Sequence, residues 1–450
     1  MKSISYLSDS FARWSVRWIP SSLAIAFLLT AIVFALGVTV AGRSFAECLN
    51  YWAEGFWVLL AFGMQMTIVL MTGYMVASSP VVSHVLSRVA ELPRGPKSTL
   101  ALLAAVSLGA KWIHWGMGTV TGIIMVRFLA EKQRNVDYRV LVAVAYFGSC
   151  AAWHAGISGS APLLVATPGH LFEDQIGVIP MTQTIFTPFS LTLVVVVAAI
   201  LIAVAPLMQP TVDRDVVKVS EETLAKLAPI ASRHESAPSN LGAGFPRFMD
   251  HHYAVNFIFG AAGLIWLVNY FYNSGFALTL NILNFGFFFL ALILHPSLNA
   301  FMRAAQDAVH LVHGIIIQFP LYAGIFGIIQ GSGLAAIIGD SFVAVASPRS
   351  LPLLIYYYTC VMNFFVPSGG SQFIVQAPYM ISAGNKLGVP MAKLVIAFAW
   401  GDMTTNFLQP FWCIPLLTAA RLEFKDILGF LMIGFAITFV VVSVGIYFFL

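Results

Sequence analysis

Charge is what this chain of 450 residues has least of: 9% of it is Asp, Glu, Lys or Arg, against 59% hydrophobic residues and a mean hydropathy of +0.86. A soluble domain of that length needs a charged surface, so the composition excludes one and leaves a chain largely covered by lipid. The net charge of +4 comes from loops, and no stretch concentrates Lys and Arg as a phosphate track requires. Nucleic acid is therefore excluded as a partner. Only four cysteines occur, Cys48, Cys150, Cys360 and Cys413, without CxxC spacing, which excludes a disulfide framework or a paired-thiol metal site. The last three lie in apolar stretches and read as small hydrophobes. No HExxH or comparable ligand pair joins His114, His154 and His170, which argues against an intramembrane metalloenzyme. No enzyme and no resident cofactor or metal is expected.

What the chain has in abundance is apolar runs. Ser21 to Gly42 is long enough for an uncleaved first span, and Arg13 and Arg17 before it place the amino terminus in the cytoplasm. Phe56 to Ser79 returns to a basic loop with Arg88, Arg94 and Lys97. Between Thr99 and Val126 lies another apolar stretch, again followed by basic residues (Arg127, Lys132, Arg134, Arg139). A single crossing would leave one basic loop outside, so this segment is expected to be a re-entrant hairpin. Its middle, GAKWIHWGMGTVTG (Gly109 to Gly122), carries Lys111 and His114. Broken polar backbone at membrane depth is tolerated only where it lines an enclosed or watery cavity. Val140 to Thr167 then crosses with a break at GISGSAP (Gly156 to Pro162), an acidic turn with Glu173 and Asp174 lies outside, and Thr187 to Met208 returns.

Residues 210–252 are hydrophilic and read as a cytoplasmic linker between a first membrane repeat, 1–209, and a second unit, 253–450. In that unit Tyr253 to Tyr272 is a connector, Phe276 to Leu294 a span, and His310 to Ile338 a span interrupted by glycines. Leu351 to Ile381, with PSGGSQFIVQAP (Pro367 to Pro378) at its centre, is the second hairpin. Met391 to Thr418 is a second broken span, and Ile427 to Phe449 closes the chain.

The halves align. GMGT (Gly116 to Thr119) matches SGGS (Ser368 to Ser371), and APLL (Ala161 to Leu164) matches IPLL (Ile414 to Leu417). The expected fold is thus an all-α polytopic membrane protein of two inverted repeats, each with a re-entrant hairpin and a broken helix, about nine full spans plus two hairpins. Inverted repeats with discontinuous segments at the midplane mark a secondary transporter, with its substrate site where the breaks meet. A channel would be expected to lack the paired hairpins.

A desolvated carboxylate needs donors, and half-helix starts supply unpaired N–H groups with a favourable dipole. Gly116, Gly118, Thr119, Ser158, Ser160, Ser368, Gly369, Gly370 and Ser371 are the candidate substrate ligands. Asp402, an expensive charge near mid-span, and Asn406 are assigned to a coupling ion, sodium or proton. Lys111, His114 and Gln409 are further candidates, Trp112 and Trp115 cavity walls or hairpin anchors, and Gln65 and Gln376 helix–helix hydrogen bonds. Phe364, Phe365, Phe373 and Ile374 around the second tip suit a monocarboxylate with a short tail better than a dicarboxylate, which would need a second anion clamp.

The strings FWVLLAFGMQM (Phe56 to Met66), GISGSAPLLVATPG (Gly156 to Gly169), FFVPSGGSQFIVQAP (Phe364 to Pro378) and LQPFWCIP (Leu408 to Pro415) resemble, in order and over nearly the whole chain, the bacterial short-chain fatty acid transporter family. The resemblance implies an elevator-type carrier of the ion transporter superfamily, in the cytoplasmic membrane, that takes up acetoacetate, butyrate or similar acids with sodium or protons, as a homodimer. Two positions depart from the family pattern, which has Asn-Trp where this chain has His114 and Trp115, and Gly-Glu where it has Gly401 and Asp402. Both departures bear on substrate choice or coupling ion.

Overall fold

The computed structural model describes residues 22–212, 215–227 and 244–450, and every regular element among them is helical. Arg13 and Arg17 lie outside the described residues. The first half contains α1 (Ser22–Thr39), α2 (Phe45–Gly55), α3 (Leu60–Ser78), α4 (Pro80–Val89), α5 (Pro96–Ile113) and α6 (Trp115–Lys132). It continues through α7 (Tyr138–Ala151), the short α8 (Ser160–Val165) and α9 (Glu173–Ile176), and α10 (Pro188–Val204). Next come α11 (Glu221–Leu227), α12 (Phe245–His251) and α13 (Tyr253–Ser274). The second half runs through α14 (Leu280–Leu294), α15 (Leu298–Val309), α16 (His313–Ser332), α17 (Leu334–Val345) and α18 (Leu351–Met362). It ends with α19 (Gly369–Leu387), α20 (Met391–Thr404), α21 (Ile414–Ala420) and α22 (Phe424–Phe449).

Local chemistry sets these boundaries. Ser44 and Glu47 form a reciprocal capping box at the start of α2, and Ser79 caps α4 just before Pro80. Such caps contribute about 1 kcal/mol each. Gly333, at φ +87°, takes the left-handed conformation that ends α16 and starts α17. Five helices among the described residues are long and apolar enough to cross a bilayer by themselves: α3, α10 with the 3₁₀ turn that follows it, α13, α16 and α22. The sequence places interruptions in the other long runs, at the two glycine-rich strings, at GISGSAP, among the glycines of 310–338 and within 391–418, and the backbone turns in each of them. Breaks at His114, 152–159, Gly333, 363–368 and 405–413 divide those runs, several into pieces below the ~20 residues a single crossing takes.

The same order of elements occurs twice. From α1 to α8 and then α10, the succession of a long, an amphipathic, a long and a short helix, two helices about a break, a broken helix and a closing helix recurs from α14 to α22. α13 has no counterpart. The amphipathic helices α2 and α15 fall where the sequence suggested loops. Each half lends its opening pair to the other: α1 and α2 pack on α16, while α14 and α15 pack on α3. A Cβ on Gly327 of α16 would stand 2.2 Å from the Tyr51 carbonyl of α2, so backbone meets backbone there.

Inside this frame lie the hairpins and broken helices. α5 packs along α7 and α18 along α20. A Cβ on Gly148 would meet the Ser107 carbonyl at 2.2 Å, and one on Gly401 the Tyr356 carbonyl at 2.6 Å. The two glycines hold the same place, 14 residues before Pro162 and before Pro415. The hairpins themselves differ. α5 and α6 pack closely along each other, whereas α18 and α19 are joined through side chains, Thr359 to Gln372 and Gln376 and Tyr358 to Tyr379, and α19 lies on α16 and α17.

The described residues of the linker are tied to the membrane helices. Val217 donates its N–H to Asp137 Oδ2 at 3.0 Å and accepts the Tyr138 N–H at 2.8 Å. Glu221 and Glu222 of α11 then pair with Arg134 and Arg421, each at 2.8 Å.

Candidate functional site

Between the two hairpins and the two broken helices is a cavity lined by Lys111, Trp115, Ser149, Trp153, Ser160, Ser368, Gly369, Gly370, Asn406 and Trp412, with Met66, Ile315 and Phe319 from the frame. It leaves about 40 Å³ for the centres of water-sized particles. That is room for roughly three waters, or a carboxylate with a tail of a few carbons.

Lys111, on the last turn of α5, is 6% exposed and donates from Nζ to Thr119 Oγ1 at 2.6 Å. Thr119 gives its own hydrogen to the Trp115 carbonyl of the same helix at 3.0 Å, which leaves a lone pair for the ammonium. No carboxylate lies within ion-pair distance of Lys111 among the described residues, and the side chain lines the cavity. A buried ammonium so placed is costly until an anion joins it.

The remainder of the first tip is closed upon itself. At the start of α6, Trp115 N–H donates to Ser158 Oγ at 2.8 Å and Met117 N–H to His114 Nδ1 at 3.3 Å. Across the break, the Trp112 carbonyl that ends α5 accepts Ile157 N–H at 2.7 Å. Gly116 packs on Leu70, and Gly118 on the Lys111 backbone, where a Cβ would come within 2.7 Å. These glycines allow helices to meet and do not line the cavity. The His114 ring turns away, 3.9 Å from the Phe287 ring and against Gly73.

The second tip is open. The Ser368 side chain accepts no backbone N–H from the first turn of α19, and donates to Ser371 Oγ at 3.3 Å. The leading N–H groups of a helix of 19 residues thus reach the cavity wall through Gly369 and Gly370 without a protein cap. A Cβ on Gly369 would meet His154 Cε1 and Trp153 at 2.6 Å and Ser160 Oγ at 2.9 Å, so only glycine keeps this approach clear. Ser371 itself is fully buried behind the wall.

The remaining candidates form two networks. Asn406 donates to the Ser149 carbonyl at 2.8 Å and accepts from Asn363 at 3.0 Å and Gln409 at 2.7 Å. Gln409 accepts Phe411 N–H. Asn406 is therefore held by both halves, with Gln409 behind it. Asp402 is 1% exposed and contacts His154 Nδ1 at 2.6 Å, and His154 in turn reaches Ser160. Gln65 bonds Asn281 and Gln376 bonds Thr359, the helix–helix roles expected of them.

Sequence reasoning missed much of the apolar wall. Phe319 and Ile315 sit in an ordinary apolar helix, while Phe373, expected near the substrate, packs on Phe172 and Phe398. Trp153 and His154, just before the glycine-rich string that opens at Gly156, carried the one available signal, a bulky pair beside a backbone break.

Comparison with known proteins fits this arrangement. The family described as "Short chain fatty acid transporter" matches residues 3–449. A protein of Escherichia coli K12 named "Putative short-chain fatty acid transporter" is 34% identical over 445 residues, 98% of this chain and 99% of its own length. One of the same name from Haemophilus influenzae is 33% identical, covering 99% of this chain and all of its own. Among solved structures, the YdaH transporter of Alcanivorax borkumensis, described as having an unusual topology, superposes with a TM-score of 0.61 at 14% identity, covering 95% of this chain and 98% of that one. MtrF of Neisseria gonorrhoeae, described with a class of antimetabolite efflux pumps, gives 0.60 at 12% identity, covering 98% and 97%. These two likenesses concern the fold alone.

Proposed function

The chain belongs to the short-chain fatty acid transporter family, and from that premise we propose that it carries short-chain monocarboxylates such as butyrate or acetoacetate across the bacterial cytoplasmic membrane. The observation that carries the substrate class is Lys111: a buried ammonium with one hydroxyl partner, in a cavity that it shares with the uncapped start of α19. The carboxylate takes the ammonium, the leading N–H groups of α19 and the Ser368 hydroxyl, each a donor to negative charge. The tail lies among Met66, Phe319, Trp153 and Trp412. Lys111 is the one cation among the lining residues, which favours a monocarboxylate over a dicarboxylate.

Transport is coupled to a cation, with Asp402 and Asn406 on the coupling side of the site. The repeats lie in opposite membrane orientation with the amino terminus in the cytoplasm. The hairpins and broken helices move together against the cross-packed frame of α1–α4 and α14–α17 in an elevator-like stroke, and the carrier works as a homodimer. The recurrence of elements and the exchange of opening helices support this division into a moving part and a frame.

The test is uptake of radiolabelled butyrate by proteoliposomes under an inward sodium gradient, an inward proton gradient, and neither. Uptake raised by one gradient and blocked by excess acetoacetate is expected. Absence of butyrate uptake under all three would move the substrate to another small anion.

A further inference from the structure

His154 lies in the break between α7 and α8, fully buried, its ring stacked on Trp153 at 4.3 Å. Both ring nitrogens are occupied. Nδ1 is 2.6 Å from Asp402 Oδ2, while Nε2 accepts the Ala161 N–H at 3.1 Å and lies 3.3 Å from Ser160 Oγ. A backbone donor aimed at Nε2 requires a lone pair there, so the ring hydrogen sits on Nδ1 and faces the carboxylate. In the Ser160 contact the hydroxyl is then the donor, sharing the single Nε2 lone pair with the Ala161 N–H. Ser160 also lines the cavity, and while its hydrogen points to Nε2 it is turned away from a substrate.

Resting on the reading of the cavity as a monocarboxylate site, we propose that the coupling cation is a proton, that His154 Nε2 receives it, and that Ser160 relays its arrival to the substrate. The incoming proton forms an N–H bond with the Nε2 lone pair, and Asp402 balances the imidazolium charge. Both bonds to Nε2 then reverse. The Ala161 N–H withdraws, and Ser160 Oγ accepts the new N–H and turns its own hydrogen into the cavity, onto the carboxylate. Proton and anion each favour the other's binding, as linkage requires, and together they carry no net charge.

Other titratable groups on the neighbouring elements are Tyr356, Tyr357, Tyr358 and Cys360 of α18, Tyr138, Arg139, Tyr146 and Cys150 of α7, Cys413 in the break before α21, and Lys111 of α5 across the cavity. The adjoining start of α19 adds none, and α8 has no ionisable side chain. None of these makes a hydrogen bond to His154 or Asp402 among the described residues. The pair therefore reaches the cavity through Ser160.

The experiment is equilibrium binding of radiolabelled butyrate to the purified full-length protein, without sodium, between about pH 6 and 8, where butyrate stays anionic. Dye-reported proton uptake on butyrate addition to proteoliposomes accompanies it. Wild-type affinity is expected to fall with rising pH, approaching about tenfold per unit, as one linked proton dictates. His154→Gln and Ser160→Ala should still bind butyrate, more weakly and with a shallower pH dependence than the wild type, the remainder coming from Lys111 in the same cavity, and His154→Gln should take up fewer protons. Flat affinity in the wild type, a requirement for sodium, or a pH slope and proton uptake undiminished in His154→Gln overturns the inference alone. A wild-type protein that binds no butyrate at any pH overturns the substrate reading and this inference with it.

Discussion

At the first hairpin tip the chain breaks over one residue, His114, and at the second over the six from Asn363 to Ser368. Both tips descend from matching glycine-rich strings, yet the first is capped by Ser158 and His114 and braced by packed arms. The second is uncapped, with arms joined through side chains and its helix start at the cavity. Glycine therefore does different work in each: in the first it lets helices meet, in the second it lets a ligand meet backbone. What the first tip brings to the cavity is a side-chain ammonium, and what the second brings is backbone N–H groups.

The sharpest way to break this contrast is Lys111→Met. If the ammonium holds the carboxylate, butyrate affinity should drop by roughly 30-fold or more, the cost of leaving a buried charge unpaired being about 2–5 kcal/mol. Thermal stability should stay level or rise, because the variant no longer buries a lone charge. Equal affinity in the variant would remove Lys111 from the site.

Next come the glycines. Gly369→Ala should lower uptake at least about tenfold, since its methyl group enters the cavity wall against His154 and Trp153. Gly118→Ala should act chiefly on stability, costing about 1–3 kcal/mol by forcing α6 off α5, with a smaller loss of uptake per folded protein. If both variants lower uptake alike, the tips are not different in kind.

A smaller pair is Ser158→Ala against Ser368→Ala. Loss of the Ser158 cap should lower stability by about 1 kcal/mol with KM nearly unchanged. Loss of the Ser368 hydroxyl should raise KM several-fold, on the order of one hydrogen bond, at near-constant stability. Uptake kinetics beside thermal unfolding in detergent would separate them. Least of all should His114→Asn matter: Asn is a strong N-cap, so α6 keeps its acceptor and transport should stay within about twofold.

The glycine-rich breaks, the Pro-Leu-Leu steps and the twofold order were legible in the sequence because backbone irregularity in an apolar run has few explanations. The contrast between the tips was not, since capping depends on Ser158, which lies 43 residues from the N–H it receives. Nor was the Asp402–His154 contact, across 248 residues. Each residue was conspicuous alone, as a charge or an imidazole at membrane depth, but sequence supplies no distances. α2 and α15 escaped for the opposite reason: they are amphipathic and short, so hydropathy read them as loops.

The exchange of opening helices between the halves bears on how the chain is made. α3 emerges from the ribosome long before α14 and α15, the helices that cover it, with roughly 200 residues of synthesis between them. During that interval the first half must wait in the membrane with a face of α3 turned to lipid or to the insertion machinery. Neither half can be a finished folding unit, and assembly is committed only when the second half arrives to close the first.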